Sequence, residues 1–386
     1  MKTKSTPHST PRSTPTDHRA LRIALNAAPH LSRTAAYRLA RDPGRWLGLA
    51  EPPDRLAAAL GILLPQMEKA LALAARAGDL ADRELAAAER LGARILLEED
   101  ADYPQALRQL DAPPPVVYVR GSLHPPEPAG PAVAIVGSRR ADSYGEEVAD
   151  LFARTLAAAG ITVVSGFAHG VDAVAHRGAL AAEGTTLAVL GCGLDVDYPR
   201  GHARLADEIA ERGALLSEFP CGLTPRSWHF PVRNRVIAAL SAGTLVVQAA
   251  PRSGSLVTAR QALDLGREVW AVPGRIFDER SLGPNALIRD GATLVQHPRD
   301  ILETLRPAGP LPDHQPSLFP AAPEAFKEPD SLAGQILAAL PPGAVRLPEE
   351  IAAGLGTPVD GVLGALLELE LGGWTKRHPG GAYGRR

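Results

Sequence analysis

The sequence predicts an α/β protein whose centre is a doubly wound, mostly parallel sheet. Three observations support this fold class. From residue 133 onward, short apolar runs alternate with amphipathic helical stretches, which is typical of a parallel sheet covered on both faces. Residues 19–92 instead have helical spacing between Pro and Gly breaks. Helical spacing resumes after a proline-rich stretch near residue 330, so a helical domain and a small C-terminal domain are expected to flank the sheet.

Length and composition limit the class of protein. The chain has 386 residues, is 45% hydrophobic and carries a formal net charge of -2, enough to bury a sizeable core in two or three domains. No stretch approaches the roughly 18 apolar residues needed to cross a bilayer, and no signal peptide is evident. We therefore expect a cytoplasmic protein without membrane insertion. Two cysteines, Cys192 and Cys221, form neither a disulfide framework nor a metal site by themselves.

The N-terminal third divides into a tail and a helical domain. Residues 1–18 are rich in Ser, Thr and Pro and are predicted to be disordered. Residues 19–92 are predicted to form a helical domain resembling SAM or helix-hairpin-helix domains. Residues 25–33 could be a DNA-binding hairpin, but the usual Gly-x-Gly is missing. A bundle that packs or docks onto protein is therefore favoured.

Residues 93–306 are predicted to form the core, an extended Rossmann-like domain. Two short apolar runs, 94–97 and 116–119, are expected to add edge strands. The predicted parallel strands are 133–136, 161–164, 186–190, 214–217, 244–247 and 268–272. A capping box at residues 143–146 is expected to start the helix after the first of them.

Small and basic residues follow several of these strands. Gly137, Ser138 and Arg139 follow the first, Ser165 and Gly166 the second, and residues 251–255 the strand that begins near Thr244. In open α/β sheets the ligand lies outside the carboxyl ends of the strands. We therefore expect these turns to converge on one edge of the sheet.

An arginine-rich stretch suggests the ligand's charge. Between Glu218 and Asp264 the chain has five arginines and no carboxylate, a local excess of +5. Guanidinium groups match phosphate oxygens. Residues 253–258 (SGSLVT) form a small-residue turn that opens a helix, whose N-terminus would attract the same kind of anion. The alternative is that these arginines are an ordinary solvated surface. The arginines are Arg226, Arg233, Arg235, Arg252 and Arg260.

Nucleotide cofactors are not supported. The turn after residue 136 lacks G-x-G-x-x-G, and no G-x-x-x-x-G-K-[ST] occurs, so neither NAD nor ATP is expected. His169 and His176 lack the Cys, Asp or Glu neighbours of a metal site, and helix-capping or surface roles are favoured for them. No cofactor and no metal are predicted.

The C-terminal region is predicted to be a separate module. Residues 307–330 contain seven prolines and are expected to form a semi-stiff linker. Residues 331–386 have three helical stretches and a hairpin pattern, which suggests a winged-helix-like domain. Its third helix carries Asp360, Glu368 and Glu370 and no base. Because phosphates repel carboxylates, a contact with protein is favoured over DNA-groove reading.

Seven motifs in order resemble the DNA-processing protein A family (DprA, also called Smf), and the resemblance covers about residues 95–300. The motifs are 135–139 (IVGSR), 165–172 (SGFAHGVD), 191–199 (GCGLDVDYP), 230–235 (FPVRNR), 253–259 (SGSLVTA), 271–274 (AVPG) and 285–288 (NALI).

The resemblance implies a non-enzymatic, cytoplasmic DNA-binding protein of natural transformation. It would bind and protect incoming single-stranded DNA and help to load the recombinase RecA, with single-strand binding protein as a further candidate partner, and it would act as a homodimer. The implied DNA-binding residues are Gly137, Ser138, Arg139, Ser165, Gly166, Gly170, Arg200, Arg226, Arg233, Asn234, Arg235, Ser253, Gly254, Ser255 and Thr258. The candidate dimer residues are Leu263, Leu287, Ile288 and Leu294, for which a core role is an equal alternative.

Two departures and one competing class qualify this interpretation. Arg200 stands where a lysine is frequent, and Arg226 is displaced from the usual position of a base. Trp228 or Phe230 could stack on a base, although burial is favoured for Phe230. The alternative class is a nucleotide-processing hydrolase of the cytokinin-activating type. Residues 252–260 lack the glutamate that such an enzyme would need as a general acid or base.

Overall fold

The structure is a computed structural model that describes residues 18–28, 31–47, 49, 51–123, 131–305, 331–341, 344–378 and 380–385. Residues 1–17 of the predicted tail and the predicted linker 307–330 lie outside the described residues. The chain separates into two compact units, Met1–Pro312 and Asp313–Arg386. The domain boundaries proposed from the sequence remain predictions.

The secondary structure comprises the following helices and strands among the described residues. The helices are α1 His18–Ala27, α2 Arg33–Arg41, α3 Pro53–Leu60, α4 Leu64–Ala74, α5 Ala77–Arg90, α6 Ser143–Ala158, α7 Val171–Ala181, α8 Ala203–Arg212, α9 His229–Ala239, α10 Gly254–Asp264, α11 Glu279–Arg289, α12 Pro298–Leu305, α13 Leu332–Ala339, α14 Pro348–Leu355 and α15 Val359–Leu371. The strands are β1 Ala93–Leu97, β2 Val116–Gly121, β3 Ala132–Val136, β4 Thr162–Ser165, β5 Thr186–Leu190, β6 Ala214–Ser217, β7 Gly243–Val246, β8 Glu268–Ala271, β9 Thr293–Leu294, β10 Val345–Arg346, β11 Thr375–Arg377 and β12 Tyr383–Arg385.

The larger unit contains a nine-stranded sheet in the order β1-β2-β6-β5-β4-β3-β7-β8-β9. From β6 to β9 all neighbours are parallel, whereas β1 and β2 join one edge by antiparallel pairing. The predicted α/β fold class and the two added edge strands are confirmed. Because the chain moves outward from β3 to β6 and then returns to place β7 on the other side of β3, the topological switch point lies between β3 and β7.

Alternate residues of the parallel strands point into two separate cores, as the two-residue period of a strand requires. Ala134 and Val246 pack on the face covered by α9 and α10. Ile135 and Leu245 pack on the opposite face against α6, α7 and α12. These strands are buried on both faces, which is why their sequences are nearly continuous apolar runs.

The N-terminal helices pack on the antiparallel edge of the sheet. Ile23 of α1 joins Leu97 and Tyr118 of the edge strands in one apolar cluster. Asn26 Nδ2 donates a hydrogen bond to the Glu218 backbone oxygen at 3.1 Å, and Arg19 pairs with Asp100 at 2.9 Å. These contacts attach the helical region to the core.

One helix start differs from the predicted capping box. Asp142, not Ser143, caps α6, because the Asp142 side chain accepts a hydrogen bond from the Gly145 backbone N–H. The Asp142 carboxylate also pairs with Arg280 at 2.9 Å. A partner distant in the sequence thus holds the capping residue, which local spacing could not reveal.

The smaller unit is a winged-helix domain, as predicted. It has three helices, α13 to α15, and a three-stranded antiparallel sheet in the order β10-β12-β11. Its core includes Ile336, Leu366 and Tyr383. Among the described residues no single helix is both long and apolar enough to cross a bilayer, although two sharply bent pairs, α3 with α4 and α14 with α15, reach that length and composition together.

Candidate nucleic-acid interface

A cavity of about 190 Å³ opens at the switch point of the sheet. It lies beyond the carboxyl ends of β3 and β7, where ligands of open α/β sheets bind. Side chains and backbone from four separate segments line it. The lining residues are Val136, Gly137, Arg139, Ala168, Asp172, Phe230, Arg233, Asn234, Ile237, Ser253, Gly254, Ser255 and Thr258.

Two glycines let the turn after β3 lie close to α7. A Cβ on Gly137 would stand 2.5 Å from Val171 Cγ2, and Gly170 has a φ of +74° and a Cβ there would overlap Ser138 O. The Val171 backbone N–H donates to Ser138 O at 3.2 Å. Both glycines therefore shape the pocket and leave the backbone open for a close approach.

The N-terminus of α10 forms the opposite wall. Ser253 caps the helix by accepting a hydrogen bond from the Ser255 N–H, and Ser255 Oγ donates to Gly137 O at 2.8 Å. Asn234 Nδ2 donates to Gly254 O at 3.1 Å. These bonds hold the α10 N-terminus beside the β3 turn, where the dipole of the helix favours an anion.

Arg139 is the exposed cation of the pocket. Its guanidinium carbon lies 4.8 Å from the centroid of the Phe230 ring, within cation–π range. Phe230 is half-buried and lies 5.8 Å from the Tyr198 ring. The aromatic ring therefore positions a guanidinium that remains accessible to a ligand.

Arg233 is buried beneath the same ring and has a different environment. Its Nη1 donates to the backbone oxygens of Gly166 and Val189, and its Nε donates to Asn234 Oδ1 at 3.0 Å. Burial lowers the Arg233 pKa to about 10, and the nearby Asp172 carboxylate opposes that shift. The side chain thus stays protonated at neutral pH and supplies a positive charge behind the pocket floor.

Asp172 is the carboxylate of this cavity. Burial raises its pKa, and the charge of Arg233 and a hydrogen bond from the Ala168 N–H lower it. A Cβ on Gly166 would lie 2.6 Å from Asp172 Oδ2 and 2.7 Å from Arg233 Nη2. Glycine at 166 is therefore required by the packing of these two side chains.

Arg235 corrects the sequence prediction. It pairs with the buried Glu218 carboxylate at 2.5 Å and donates to Ala112 O at 2.5 Å. It lines a second cavity, of about 740 Å³, between the helical region and the core. The carboxylate that pairs with Arg235 is Glu218, which directly precedes the interval without carboxylates. Arg235 does not line the switch-point cavity.

Ser165 and Gly166 also differ from the expected exposed rim. Ser165 is fully buried, and its hydroxyl donates to Ile135 O at 2.6 Å, so it ties β4 to β3. Gly166 lies under the pocket floor beside Arg233. Thr258 is buried but does reach the pocket lining.

The remaining predicted residues lie at or outside the rim. Arg200 and Arg226 are exposed and do not line the cavity. Trp228 is 51% exposed. Phe230, for which burial was favoured over base stacking, is half-buried, so its exposure does not decide between the two roles.

The candidate dimer residues have mixed exposure. Leu263 is 56% exposed and Leu294 is 45% exposed. Leu287 and Ile288 are half-buried, and Leu287 packs against the core. Leu294 is in the edge strand β9, whereas Leu263 is near the end of α10.

His169 and His176 lie in different environments, and the surface or helix-capping role favoured for His176 is wrong because its ring is enclosed in the core. His176 is fully buried, its Nδ1 lies 2.7 Å from Thr186 Oγ1, and burial lowers its pKa to about 3. His169 is exposed and lies 4.7 Å, ring to ring, from His202. Within the described ranges no group of three or more His, Cys, Asp or Glu side chains could hold a metal ion. Cys192 and Cys221 are free thiols.

Sequence reasoning missed one residue that lines the pocket and one that lies against the Phe230 ring. Asp172 and Tyr198 lay within quoted motifs, but neither was given a role. Their signal was position alone, since each follows a Gly-rich turn at the carboxyl end of a strand. Only the packing around Arg233 and Phe230 identifies what they do.

Fold and site together define a Rossmann-like α/β protein with an arginine-bearing pocket at its switch point and an appended winged helix. Residues 94–306 match the family described as DNA recombination-mediator protein A, and residues 320–381 match the DprA winged helix domain. The chain belongs to the DNA recombination-mediator protein A family.

Similar proteins support this assignment over most of the chain. Protein Smf of Escherichia coli is 45% identical over 74% of this chain and 76% of its own length. The structure of DNA processing protein A from Streptococcus pneumoniae matches with a TM-score of 0.62 and 30% identity, covering 74% of this chain and 98% of that one. The Helicobacter pylori homologue matches with a TM-score of 0.50 and 33% identity, covering 55% of this chain and 95% of that one.

Proposed function

We propose that this protein binds single-stranded DNA in the switch-point pocket. The observation that carries the proposal is the position of the Arg139 guanidinium over Phe230, opposite the N-terminus of α10. A cation and a helix N-terminus that face one cavity suit a phosphate. A structure of the homologue from Helicobacter pylori is described by its single-stranded DNA binding mode, and the same ligand is proposed here.

The pocket residues divide the work of binding. Arg139 forms charge-assisted hydrogen bonds to a phosphate, while the α10 N–H groups receive a phosphate on the other wall. Arg233 contributes its charge from below without contacting the strand. Arg200 and Arg226, both exposed, extend the positive rim along the backbone of the strand.

The biological role that we propose is the one that the resemblance to the family implies. The protein acts in the cytoplasm during natural transformation, protects incoming single strands and helps to load RecA recombinase, with single-strand binding protein as a further partner. It performs no covalent chemistry. It works as a homodimer through the edge near Leu263 and Leu294, and two linked pockets gain affinity on one strand through effective concentration.

Equilibrium binding to matched DNA substrates tests the proposal. Fluorescence anisotropy is measured with an oligonucleotide as a single strand and as a duplex, over a range of salt concentrations. The expected result is preference for the single strand and an affinity that falls as salt rises, with a slope of about −0.7 per phosphate neutralised. Equal affinity for the duplex, or an affinity independent of salt, would count against the proposal.

A hydrolase is the alternative, and one observation keeps it open. Asp172 places a carboxylate with a raised pKa in the pocket lining, the kind of group that general acid–base catalysis requires. Incubation with nucleoside monophosphates tests this function. Release of free base by the wild type, lost in Asp172→Asn, would favour the enzyme; intact monophosphates are the result that we expect.

A further inference from the structure

The loop between β8 and α11 exposes two apolar side chains at its tip. Ile276 is 71% exposed and Phe277 is 96% exposed. A fully exposed aromatic ring loses the favourable free energy of burial, about 1.5–3 kcal/mol for a side chain of this size. Neither the fold nor the pocket described above uses this ring.

Both ends of the loop are firmly held. Asn285 bonds Gly274 twice, accepting from its N–H at 3.1 Å and donating to its carbonyl at 3.0 Å. The Tyr144 hydroxyl donates to Pro273 O at 3.0 Å, and Asp278 caps α11. The exposure of Phe277 is therefore set by an anchored turn.

The loop lies at the same end of the parallel strands as the pocket, the end at which the strands have their carboxyl termini. It follows the carboxyl end of β8, which neighbours β7, so β3 and β8 are about 10 Å apart at the usual strand spacing. Arg252 is in the connection after β7 and directly precedes Ser253 of the pocket wall, and Arg275 is two residues before Phe277 in the same loop. Both arginines are exposed, and neither forms an ion pair with another described residue.

We propose that Phe277 is a stacking platform for a base of a single strand that leaves the pocket, with Arg252 and Arg275 holding the intervening phosphates. This inference rests on the proposed function and extends it to a second subsite. Exposed aromatic rings beside a basic track are how proteins bind single strands without reading sequence. Asp278 at the end of the loop contacts Arg280, as does Asp142 from the start of α6, whereas Glu279 is exposed and leaves one negative charge at the start of α11.

A second copy of the chain is the competing occupant of this apolar tip. Leu282 of α11 is 40% exposed and could extend an apolar contact between copies. Such a contact requires apolar area and shape, whereas base stacking requires an aromatic face. Substitutions at residue 277 can therefore separate the two.

The test compares single-strand affinity for four proteins: the wild type, Phe277→Ala, Phe277→Leu and Phe277→Trp. Fluorescence anisotropy is measured with a thymidine oligonucleotide of about 30 residues and with an abasic strand of the same length. The matched control is Leu63→Ala, which removes a 69% exposed apolar side chain from the helical region.

We expect Phe277→Ala and Phe277→Leu to lose about 5- to 150-fold in affinity for the thymidine strand, the usual range for one lost stacking contact. Phe277→Trp and Leu63→Ala should stay within about twofold of the wild type, because the first keeps an aromatic face and the second lies off the track. On the abasic strand the difference between Phe277→Ala and the wild type should disappear.

Three results would overturn the inference. If Phe277→Ala binds with wild-type affinity, Phe277 is not a stacking platform, although the proposed pocket is unaffected. Wild-type affinity in Phe277→Leu, with Phe277→Ala dissociating to a smaller species in gel filtration, assigns the loop to a contact between copies. Failure of the wild type itself to bind single strands would contradict the proposed function as well. The wild-type titration alone distinguishes this outcome from the other two.

Discussion

Arg139 and Arg233 approach the same aromatic ring, yet burial gives them different tasks. Their guanidinium carbons lie 4.8 Å and 5.9 Å from the Phe230 centroid. Arg139 is exposed, whereas Arg233 is buried and bonded to backbone carbonyls. Only a solvent-facing guanidinium can give its donors to a phosphate, so binding energy should depend directly on Arg139.

Arg139→Ala should therefore weaken single-strand binding by about tenfold, the effect of one charge-assisted hydrogen bond to phosphate. It should also reduce the salt slope by about 0.7, because one fewer counterion is released. Anisotropy titrations at several salt concentrations measure both. Arg212→Ala, at the opposite edge of the sheet before β6, is the matched control. An unchanged slope in Arg139→Ala would contradict this role.

Gly166→Ala should destabilise the core beneath the pocket. The new methyl group would meet Asp172 Oδ2 at 2.6 Å and Arg233 Nη2 at 2.7 Å, and such overpacking costs about 1–3 kcal/mol. Urea denaturation measures the loss. Gly78→Ala, where a Cβ meets nothing within 4 Å, is the control and should be neutral or slightly stabilising. Equal free energies of unfolding for the two variants would show that the residues beneath the pocket accommodate the methyl group without loss of stability.

At the residue scale, the sequence predicted the kinds of residue that line the pocket better than it predicted which individual residues line it. Arg139, Asn234 and residues 253–255 come together as expected. Arg235 does not, because residues i and i+2 of a helix point about 200° apart, so Arg233 and Arg235 face different cavities. Residue spacing cannot show that Glu218 pairs with Arg235, since that contact depends on how β6 and α9 meet in space.

At the scale of elements, α7 and β5 form a buried polar contact that responds to pH. His176 is enclosed with its Nδ1 against Thr186 Oγ1, and the Thr186 hydroxyl donates to Val163 O at 2.8 Å. The His176 Nδ1 therefore carries the proton of a neutral ring. Burial lowers the His176 pKa from 6.5 to about 3, so the native state resists protonation.

Acidification should destabilise the protein through His176. Between pH 6.5 and 3 the unfolded state binds a proton that the native state does not, so the free energy of unfolding falls as pH falls, by about 1.4 kcal/mol per pH unit. Replacing His176 with Gln should reduce the loss of stability between pH 7 and 4.5 by about 2–3 kcal/mol. Urea unfolding at both pH values checks this, and an identical pH dependence in the variant would refute it.

Element positions were well predicted because their signals are local. Short apolar runs located six of the parallel strands to within about a residue, as at Thr186–Leu190 and Ala214–Ser217. The strand β9 was not predicted, because it has two residues and both are exposed. The start of α6 was misplaced by one residue, since Asp142 is fixed by Arg280 and Gln248 from distant segments. Local patterns specify elements, whereas tertiary contacts select their ends.

At the scale of the whole molecule, the two compact units should contribute unequally to DNA binding. In the winged-helix unit, α15 exposes Leu363, Leu367 and Leu371 together with Asp360 and Glu368. An acidic, apolar helix face is poorly suited to phosphates. The unit is therefore better suited to contact with protein.

Removal of residues 307–386 should leave single-strand affinity within about twofold, because the basic pocket lies wholly in the first unit. Anisotropy with the full chain and the shortened chain measures the change. A matched full-length variant, Glu368→Gln, shows whether the acidic charge of α15 alone affects single-strand affinity. A loss of tenfold or more on truncation would place DNA-binding groups in the winged helix.

A dimer through the β9 edge should matter only for long strands. Leu294→Glu places a charge on an exposed edge leucine and should shift the protein towards monomer in sedimentation. It should weaken binding to a long strand, because effective concentration is lost, but not binding to a strand that fills a single pocket. Equal losses on both strands, or an unchanged oligomeric state, would argue against that edge.

Amide hydrogen exchange with and without single-stranded DNA tests most directly whether segments distant in sequence form one cradle. The account predicts simultaneous protection of residues 136–142, 228–236 and 251–260, which meet at the carboxyl ends of β3 and β7. Residues 205–213, at the opposite edge of the sheet, should be unchanged. Protection confined to that opposite edge or to α13–α15 would contradict it.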